Sequence, residues 1–267
     1  MARWEWVAVG YFTYLAAIAA VTPRFARARA MAIAAGAAAW TLLPLAAAWS
    51  ADMADLTRAL LPVPVLLAGY WLSGCFFLEP MRRLERWLLR IDDICLGGPG
   101  AMQRAPETNI WLGTYFELAY FLVYAVVPAG AIALILTGHG ATIERFWSAV
   151  MLAAFASYGV LPWVQTRPPR IVDDRAAAQR GRPIVVRRLN LWVLGRGSIQ
   201  ANTIPSGHAA TATAVALTVG EAIPEARLIL LVVAGSIVVA TVVGRYHFVV
   251  DSAAGVLVGV IAWAVVP

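Results

Sequence analysis

A short stretch, Pro205-Ser206-Gly207-His208, combines groups that can bind a phosphate and protonate a leaving oxygen. Proline and serine are frequent at the first positions of a helix, and an apolar run follows them here. Free backbone N–H groups at a helix start bind anions, and glycine lets a phosphate approach the backbone closely. Because a histidine in this position could donate a proton, the stretch predicts a phosphate site with a general acid.

A second histidine has a carboxylate at helical spacing. His247 and Asp251 are four residues apart and would lie on one face of a helix. Such a carboxylate can fix the tautomer of the imidazole and raise its basicity, as in a catalytic triad. Arg245 could reach the same anion. Taken singly, His208 could be an ordinary interfacial histidine and Asp251 only a helix cap.

Two further arginines are candidate phosphate ligands. Arg167 and Arg170 lie in the stretch Gln165–Arg170, where two prolines hold the chain extended. Arginine suits bidentate binding of phosphate oxygens. Either side chain could instead face lipid headgroups as a loop charge, so both roles stay open at this point.

In this order the three stretches resemble the type-2 phosphatidic acid phosphatase superfamily, whose motifs are K-x6-RP, PSGH and SR-x5-H-x3-D. The first motif keeps its Arg-Pro pair, the second is complete, and the third keeps His247 and Asp251. Val160 stands at the lysine position of the first motif and Thr241 at the arginine position of the third. The resemblance covers residues 146–267 and is closest to the branch of inositol phosphorylceramide synthase-like proteins.

The resemblance implies phosphoryl transfer without a metal ion or another cofactor. His247 would attack the phosphorus and form a phosphohistidine, Asp251 would orient His247, and His208 would protonate the leaving alkoxide. An in-line displacement also requires compensation of the charge on the phosphate oxygens. The implied phosphate ligands are Arg167, Arg170, Arg245 and the backbone of Ser206 and Gly207.

The composition places these residues in a membrane protein. Of the 267 residues, 61% are hydrophobic and 13% are charged, whereas a soluble domain is about 45–50% apolar and about 25% charged. Since a spanning helix needs about 20 apolar residues, we predict an all-α, polytopic integral membrane bundle of about 6–8 transmembrane helices. The candidate segments are residues 4–22, 30–50, 56–78, 110–136, 146–164, 207–223, 226–243 and 250–267.

Two polar connectors separate groups of these segments. Residues 81–92 place apolar and arginine side chains on opposite faces at helical spacing, which predicts an amphipathic helix on the membrane surface. Residues 165–206 hold eight arginines. We predict N-terminal transmembrane helices and a connector in residues 1–109 and a catalytic helical core in residues 110–267. Glu117 lies inside an apolar segment, where a carboxylate is a functional candidate by default.

Three functions are open on the sequence alone. The first is hydrolysis of a lipid phosphate or polyprenyl (pyro)phosphate, and the second is transfer of a phospho-headgroup to a lipid alcohol. The third is a catalytically inactive membrane scaffold or transporter. The expected partners are the lipid bilayer and a lipid phosphate substrate, and no nucleic acid is expected.

The arginine distribution bears on orientation. All 21 basic residues are arginine, and 17 of them lie on one predicted side of the membrane. The positive-inside rule would place that side in the cytoplasm. Because arginines that bind phosphate inflate this count, we expect an active site on the extracytoplasmic face of a bacterial-type inner or plasma membrane.

Overall fold

The computed structural model describes residues 1–49, 59–98, 109–173 and 185–267, and the regular elements in these ranges are helices. In chain order they are α1 (Arg3–Val21), α2 (Ala26–Trp49), α3 (Pro62–Gly74), α4 (Arg82–Cys95), α5 (Ile110–Phe121), α6 (Val123–Leu136), α7 (Ile143–Tyr158), α8 (Pro169–Val172), α9 (Val185–Gly197), α10 (Gly207–Ala222), α11 (Arg227–Val243) and α12 (Val249–Val265). The predicted all-α class is confirmed for the described residues. Part of the second connector, residues 174–184, and the start of the predicted segment 56–78 lie outside them.

Three helical segments of the described chain are long and apolar enough to cross a membrane. They are Arg3–Val21, Pro23–Ala46 and Pro224–Val243. A fourth candidate consists of α5 and α6 together, which are bent by 56° relative to each other. The apolar helix α12 is shorter, with 17 residues, so the larger number of spans stays a prediction.

The helices run between two ends of the bundle. At the far end, Arg145 near the start of α7 pairs with Glu221 near the end of α10 at 2.7 Å. At the opposite end, a Cβ atom added to Gly207 would lie 2.5 Å from the ring of Tyr158. The end of α7 therefore meets the start of α10, so these two helices are antiparallel. We call this second end, which carries His247, the histidine end.

Two glycines allow α12 to pack closely against α10. A Cβ atom at Gly255 would lie 2.5 Å from the carbonyl oxygen of Ser206, and one at Gly259 would lie 2.5 Å from that of Ala210. Small residues let helix backbones approach each other in this way. The close approach fixes the first turn of α12 beside the start of α10.

The N-terminal helix packs against the end of α7. The ring of Tyr11 stacks on Phe155 with centroids 4.1 Å apart, and the hydroxyl of Tyr14 donates to the carbonyl of Gly159 at 2.7 Å. Buried residues of α1, α7 and α10 form one hydrophobic cluster. The predicted boundary after residue 109 stays a prediction, and helices from both sides of it share this core.

A helix is present where the sequence predicts an amphipathic one. It is α4, which is longer than the predicted 81–92 by about one turn at its C-terminal end. Its Glu85 and Leu88 side chains are buried, whereas Arg86 and Trp87 are exposed. The two faces of α4 therefore differ, as an amphipathic helix requires.

Candidate active site

His247 and Asp251 are in contact at the junction of α11 and α12. The Nδ1 atom of His247 lies 3.3 Å from Oδ2 of Asp251, and the backbone N–H of Phe248 donates to the same oxygen at 2.9 Å. Asp251 is fully buried, and His247 is 7% exposed. Asp251 thus both caps α12 and contacts the imidazole of His247, so a capping role and a role in orienting His247 are compatible.

His208 lies in the first turn of α10 and faces His247. The centroids of the two imidazole rings are 5.6 Å apart, and their planes are nearly perpendicular. Ser206 caps the helix, because its Oγ accepts from the N–H of Ala209 at 3.3 Å. The N–H of Ser206 donates to the carbonyl of Asp251 at 2.9 Å. The N-terminal cap of α10 is therefore hydrogen-bonded directly to the first turn of α12. Both histidines lie where they could flank one phosphoryl group.

Arg170 contributes a positive charge beside His247. Its guanidinium carbon lies 5.6 Å from the centroid of the Tyr246 ring, and it forms no ion pair with a carboxylate in the described part of the chain. Burial, and after it the charge of Arg170, lowers the pKa of His247 to about 3. The imidazole is therefore neutral near pH 7, which leaves a nitrogen lone pair for nucleophilic attack.

Arg167, in contrast, is bound by a carboxylate of α4. Its backbone N–H and its Nε donate to Oε1 of Glu85 at 2.8 and 3.0 Å, and its Nη2 donates to Oε2 at 2.8 Å. Burial acts to raise the pKa of Glu85, but the hydrogen bonds from Arg167 outweigh it and lower that pKa. One edge of this guanidinium is thus occupied, and the role of Arg167 as a phosphate ligand stays a prediction.

Arg245 also has a carboxylate partner. Its Nη2 donates to Oδ2 of Asp173, which directly follows α8. Arg245 has a φ of 60°, a value that is uncommon for residues other than glycine. In this conformation its carbonyl accepts from the backbone N–H of Arg170 at 3.0 Å. Arg245 therefore fixes the backbone of Arg170, while its own predicted contact with phosphate stays a prediction.

Asn202 is a site residue that the sequence motifs do not predict. Its Nδ2 donates to Oδ2 of Asp251 at 2.8 Å and to Oγ1 of Thr166 at 3.2 Å. Its backbone N–H donates to the carbonyl of Thr166 at 2.7 Å in an isolated bridge. Asn202 thus ties the stretch before α8 to the carboxylate of Asp251. The only signal in the sequence is a polar side chain shortly before Pro205.

We expect the substitution Asn202→Ala to lower kcat about 10- to 100-fold, since a hydrogen bond to a charged group contributes about 1.5–3 kcal/mol. Without this donor, Oδ2 of Asp251 would keep only the N–H of Phe248 and the imidazole as partners, so its orientation toward His247 would be less firmly fixed. Steady-state kinetics on the purified variant measure the effect. Asn202→Asp should be impaired at least as much, because it places a second carboxylate beside the first. Unchanged kcat in both variants would contradict this role.

Glu117 connects α5 to α9 and to the residue before His247. Its Oε2 accepts from the hydroxyl of Tyr246 at 2.6 Å and from Nδ2 of Asn190 at 2.7 Å. Its Oε1 accepts from Nη1 of Arg187 at 2.5 Å. The Tyr246 ring stacks on Tyr120 with centroids 3.6 Å apart. The hydroxyl of Tyr120 in turn lies 3.5 Å from Nε2 of the histidine in α10. This buried carboxylate therefore has a full set of partners around the two histidines.

A metal site is not apparent in the part of the chain that the structure describes. Within the described ranges, no group of three or more His, Cys, Asp and Glu side chains could hold an ion. Cys75 and Cys95 are free thiols. Among the described residues, the groups beside the two histidines are the carboxylate of Asp251, the guanidinium of Arg170 and the ring of Tyr120.

Comparison with known proteins identifies the family. No curated protein and no solved structure matches the chain. The family model described as PAP2 superfamily matches residues 86–265, a range that contains both histidines, Asp251 and Asn202. Since this match covers more than half of the sequence, the chain belongs to the PAP2 superfamily.

Proposed function

We propose that the protein is a membrane-embedded lipid phosphatase that hydrolyses a lipid phosphate or a polyprenyl (pyro)phosphate at the histidine end. Membership of the superfamily supports a phosphatase-type function. The observation that carries the proposal is the facing pair His208 and His247, with Asp251 on one side of the pair. Arg170 supplies the positive charge for a phosphate dianion.

The proposed reaction has two steps. In the first, Nε2 of His247 attacks the phosphorus and the bond from phosphorus to the lipid oxygen breaks. His208, which is protonated because the bound phosphate dianion stabilises its positive charge, gives its proton to that oxygen. Asp251 stabilises the charge that develops on the imidazole through Nδ1. In the second, His208 takes a proton from water, the water oxygen bonds to the phosphorus, and the bond between phosphorus and Nε2 of His247 breaks, which releases inorganic phosphate and restores the neutral imidazole. Fixed positive charge and N–H groups at the site lower the barrier by stabilising the phosphate oxygens.

A second candidate function is transfer of a phospho-headgroup, such as phosphoinositol, to a lipid alcohol. It uses the same residues, with an alcohol in place of water in the second step. The burial of His247 favours it, because a nucleophile that is 7% exposed has restricted access to bulk water. The resemblance to the inositol phosphorylceramide synthase-like branch supports the same alternative.

The experiment that separates these functions uses detergent-solubilised protein and a lipid with a radiolabelled phosphate. Release of free phosphate without any acceptor supports hydrolysis. Labelled product that forms only when a lipid alcohol is added supports transfer. Absence of both, in protein that is folded, would favour the inactive scaffold or transporter.

We expect the reaction to proceed without a metal ion. The proposal assigns the nucleophile to His247 and the positive charge to Arg170, so chelation should not change the rate. The measurement is the rate of phosphate release in the presence and absence of EDTA. Activity that is lost in EDTA and restored by magnesium would contradict metal independence.

The location of the site follows from the same proposal. Several apolar helices are compatible with an integral membrane protein, and we propose that the histidine end lies on the extracytoplasmic face. Cys95 ends α4 and is exposed. Labelling of Cys95 by a membrane-impermeant thiol reagent in intact cells, in a Cys75→Ala background, supports this face, and labelling only after lysis contradicts it.

A further inference from the structure

Helix α4 touches the candidate active site through its inner face. Near the N-terminal end of α4, Glu85 binds Arg167 through three hydrogen bonds. Two turns further along α4, Oδ1 of Asp92 accepts a hydrogen bond from the backbone N–H of Val249 at 2.9 Å. Val249 is the first residue of α12 and lies two positions before Asp251. The inner face of α4 therefore holds both the Arg-Pro stretch and the helix that carries the carboxylate of the pair.

The outer face of α4 is basic. Four arginines are exposed along it and form no salt bridge in the part of the chain that the structure describes; they are Arg82, Arg83, Arg86 and Arg90. Trp87 lies among them and is 50% exposed. Arginine binds phosphate oxygens in bidentate geometry, and tryptophan prefers the level of lipid headgroups. This outer face thus has the charge and the side chains that complement an anionic lipid surface.

We propose that the outer face of α4 binds the headgroups of anionic phospholipids, and that this binding maintains the hydrogen bonds between the inner face of α4 and Arg167 and Val249. The active site would then be held in its assembled geometry only when the protein lies in a membrane with anionic lipids. The lipid-binding half of the proposal is independent of the reaction. The effect on turnover rests on the proposed function.

The lipid-binding half is tested by fluorescence. In a Cys75→Ala background, Cys95 at the end of α4 carries an environment-sensitive dye. The labelled protein is placed in nanodiscs of phosphatidylcholine alone or of phosphatidylcholine mixed with phosphatidylglycerol. We expect a blue-shifted, stronger emission in the mixed nanodiscs, which high salt reverses because it screens charge. Equal spectra in the two kinds of nanodisc would overturn the proposal.

Two triple variants, each lacking three arginine charges, show whether the position of the charges or the net charge of the protein determines lipid binding. The triple variant R83Q/R86Q/R90Q removes three charges from the outer face, and R27Q/R188Q/R227Q removes three exposed charges elsewhere. We expect the first to lose the spectral response and the second to keep it. The same response in both would show that α4 is not the binding surface and would overturn the proposal.

Turnover of a water-soluble, short-chain lipid phosphate tests the coupling. We expect about tenfold higher kcat in phosphatidylglycerol nanodiscs than in phosphatidylcholine alone, because the anionic surface attracts the arginines of α4 and so favours the assembled site. This activation should disappear in R83Q/R86Q/R90Q and persist in R27Q/R188Q/R227Q. A spectral response without activation would overturn the coupling. Absence of turnover in every nanodisc would contradict the proposed function, while the fluorescence still decides whether α4 binds anionic lipid.

Discussion

The substitution His247→Ala is expected to lower kcat by roughly 10⁴-fold or more, the scale seen when an enzyme loses its covalent nucleophile. The alanine variant has no nitrogen to form the phosphohistidine, and Asp251 would face an empty space instead of Nδ1. The fold should survive, because His247 lies in the connection between α11 and α12 and not within either helix. The measurements are kcat with a lipid phosphate and the melting temperature of the variant.

Trapping the intermediate makes this test specific. The wild-type protein, denatured during turnover of a radiolabelled substrate, should carry acid-labile label, and His247→Ala should carry none. Turnover by His247→Ala within tenfold of the wild-type rate, or label retained on it, would rule out His247 as the nucleophile.

His208→Ala provides the comparison for the general acid. With an alkyl phosphate, its kcat should fall by about 10²- to 10⁴-fold. With an aryl phosphate the loss should be much smaller in the first turnover, measured as the burst of released phenol, because a phenolate leaves without needing a proton. The water step, in which His208 acts as base, follows this burst. His247→Ala should be inactive with both substrates. An equal loss for both leaving groups in His208→Ala would contradict the assignment of this residue as the acid.

Arg170→Ala is expected to lower kcat/KM by about 10²- to 10³-fold, the usual cost of removing one group that stabilises transition-state charge. Arg170 is the arginine whose charge lies beside His247 without a carboxylate partner among the described residues. Inhibition by inorganic phosphate or vanadate should weaken in parallel. Arg170→Lys keeps the charge but loses the planar fork, so it should recover only part of the activity.

Arg167→Ala should behave differently, and this contrast decides between the two arginines. Its guanidinium is bound to Glu85, so the variant should lose thermal stability as well as activity, and Glu85→Ala should share that loss. In a double-mutant cycle on melting temperature, the two substitutions should be non-additive. A larger fall in kcat/KM for Arg167→Ala than for Arg170→Ala, at unchanged melting temperature, would reverse the assignment.

Local spacing was sufficient to predict the central contacts of the site. His247 and Asp251 are in contact as predicted, but not on one helix face, because His247 precedes α12 and Asp251 reaches back to it from the first turn. Ser206 starts α10 because a serine side chain caps a helix. The partners of the arginines could not be predicted in this way. Glu85 is 82 residues from Arg167 along the chain, so only the tertiary fold shows which guanidinium is already neutralised.

The number of membrane spans also could not be predicted from the sequence. Hydropathy treats residues 110–136 as one apolar segment, yet the backbone is bent by 56° between α5 and α6. Apolar composition cannot report such a bend, because both halves are apolar. Glu117 is recognisable in the sequence as a carboxylate inside an apolar segment. Its partners Arg187 and Asn190 are not, because they lie on α9, which the sequence shows only as part of a polar connector.

The contact between Tyr14 and Gly159 also sets a delay during synthesis. The two residues are 145 positions apart, and a ribosome adds about 5–20 residues per second, so α1 waits about 7–29 s for its partner at the end of α7. During that time the hydroxyl of Tyr14 lacks its native acceptor, the carbonyl of Gly159, whereas the hydroxyl of Tyr11 finds its acceptor earlier, at Gly69 of α3. Helix α1 is therefore among the helices that reach their final packing late, and slower translation would lengthen this interval.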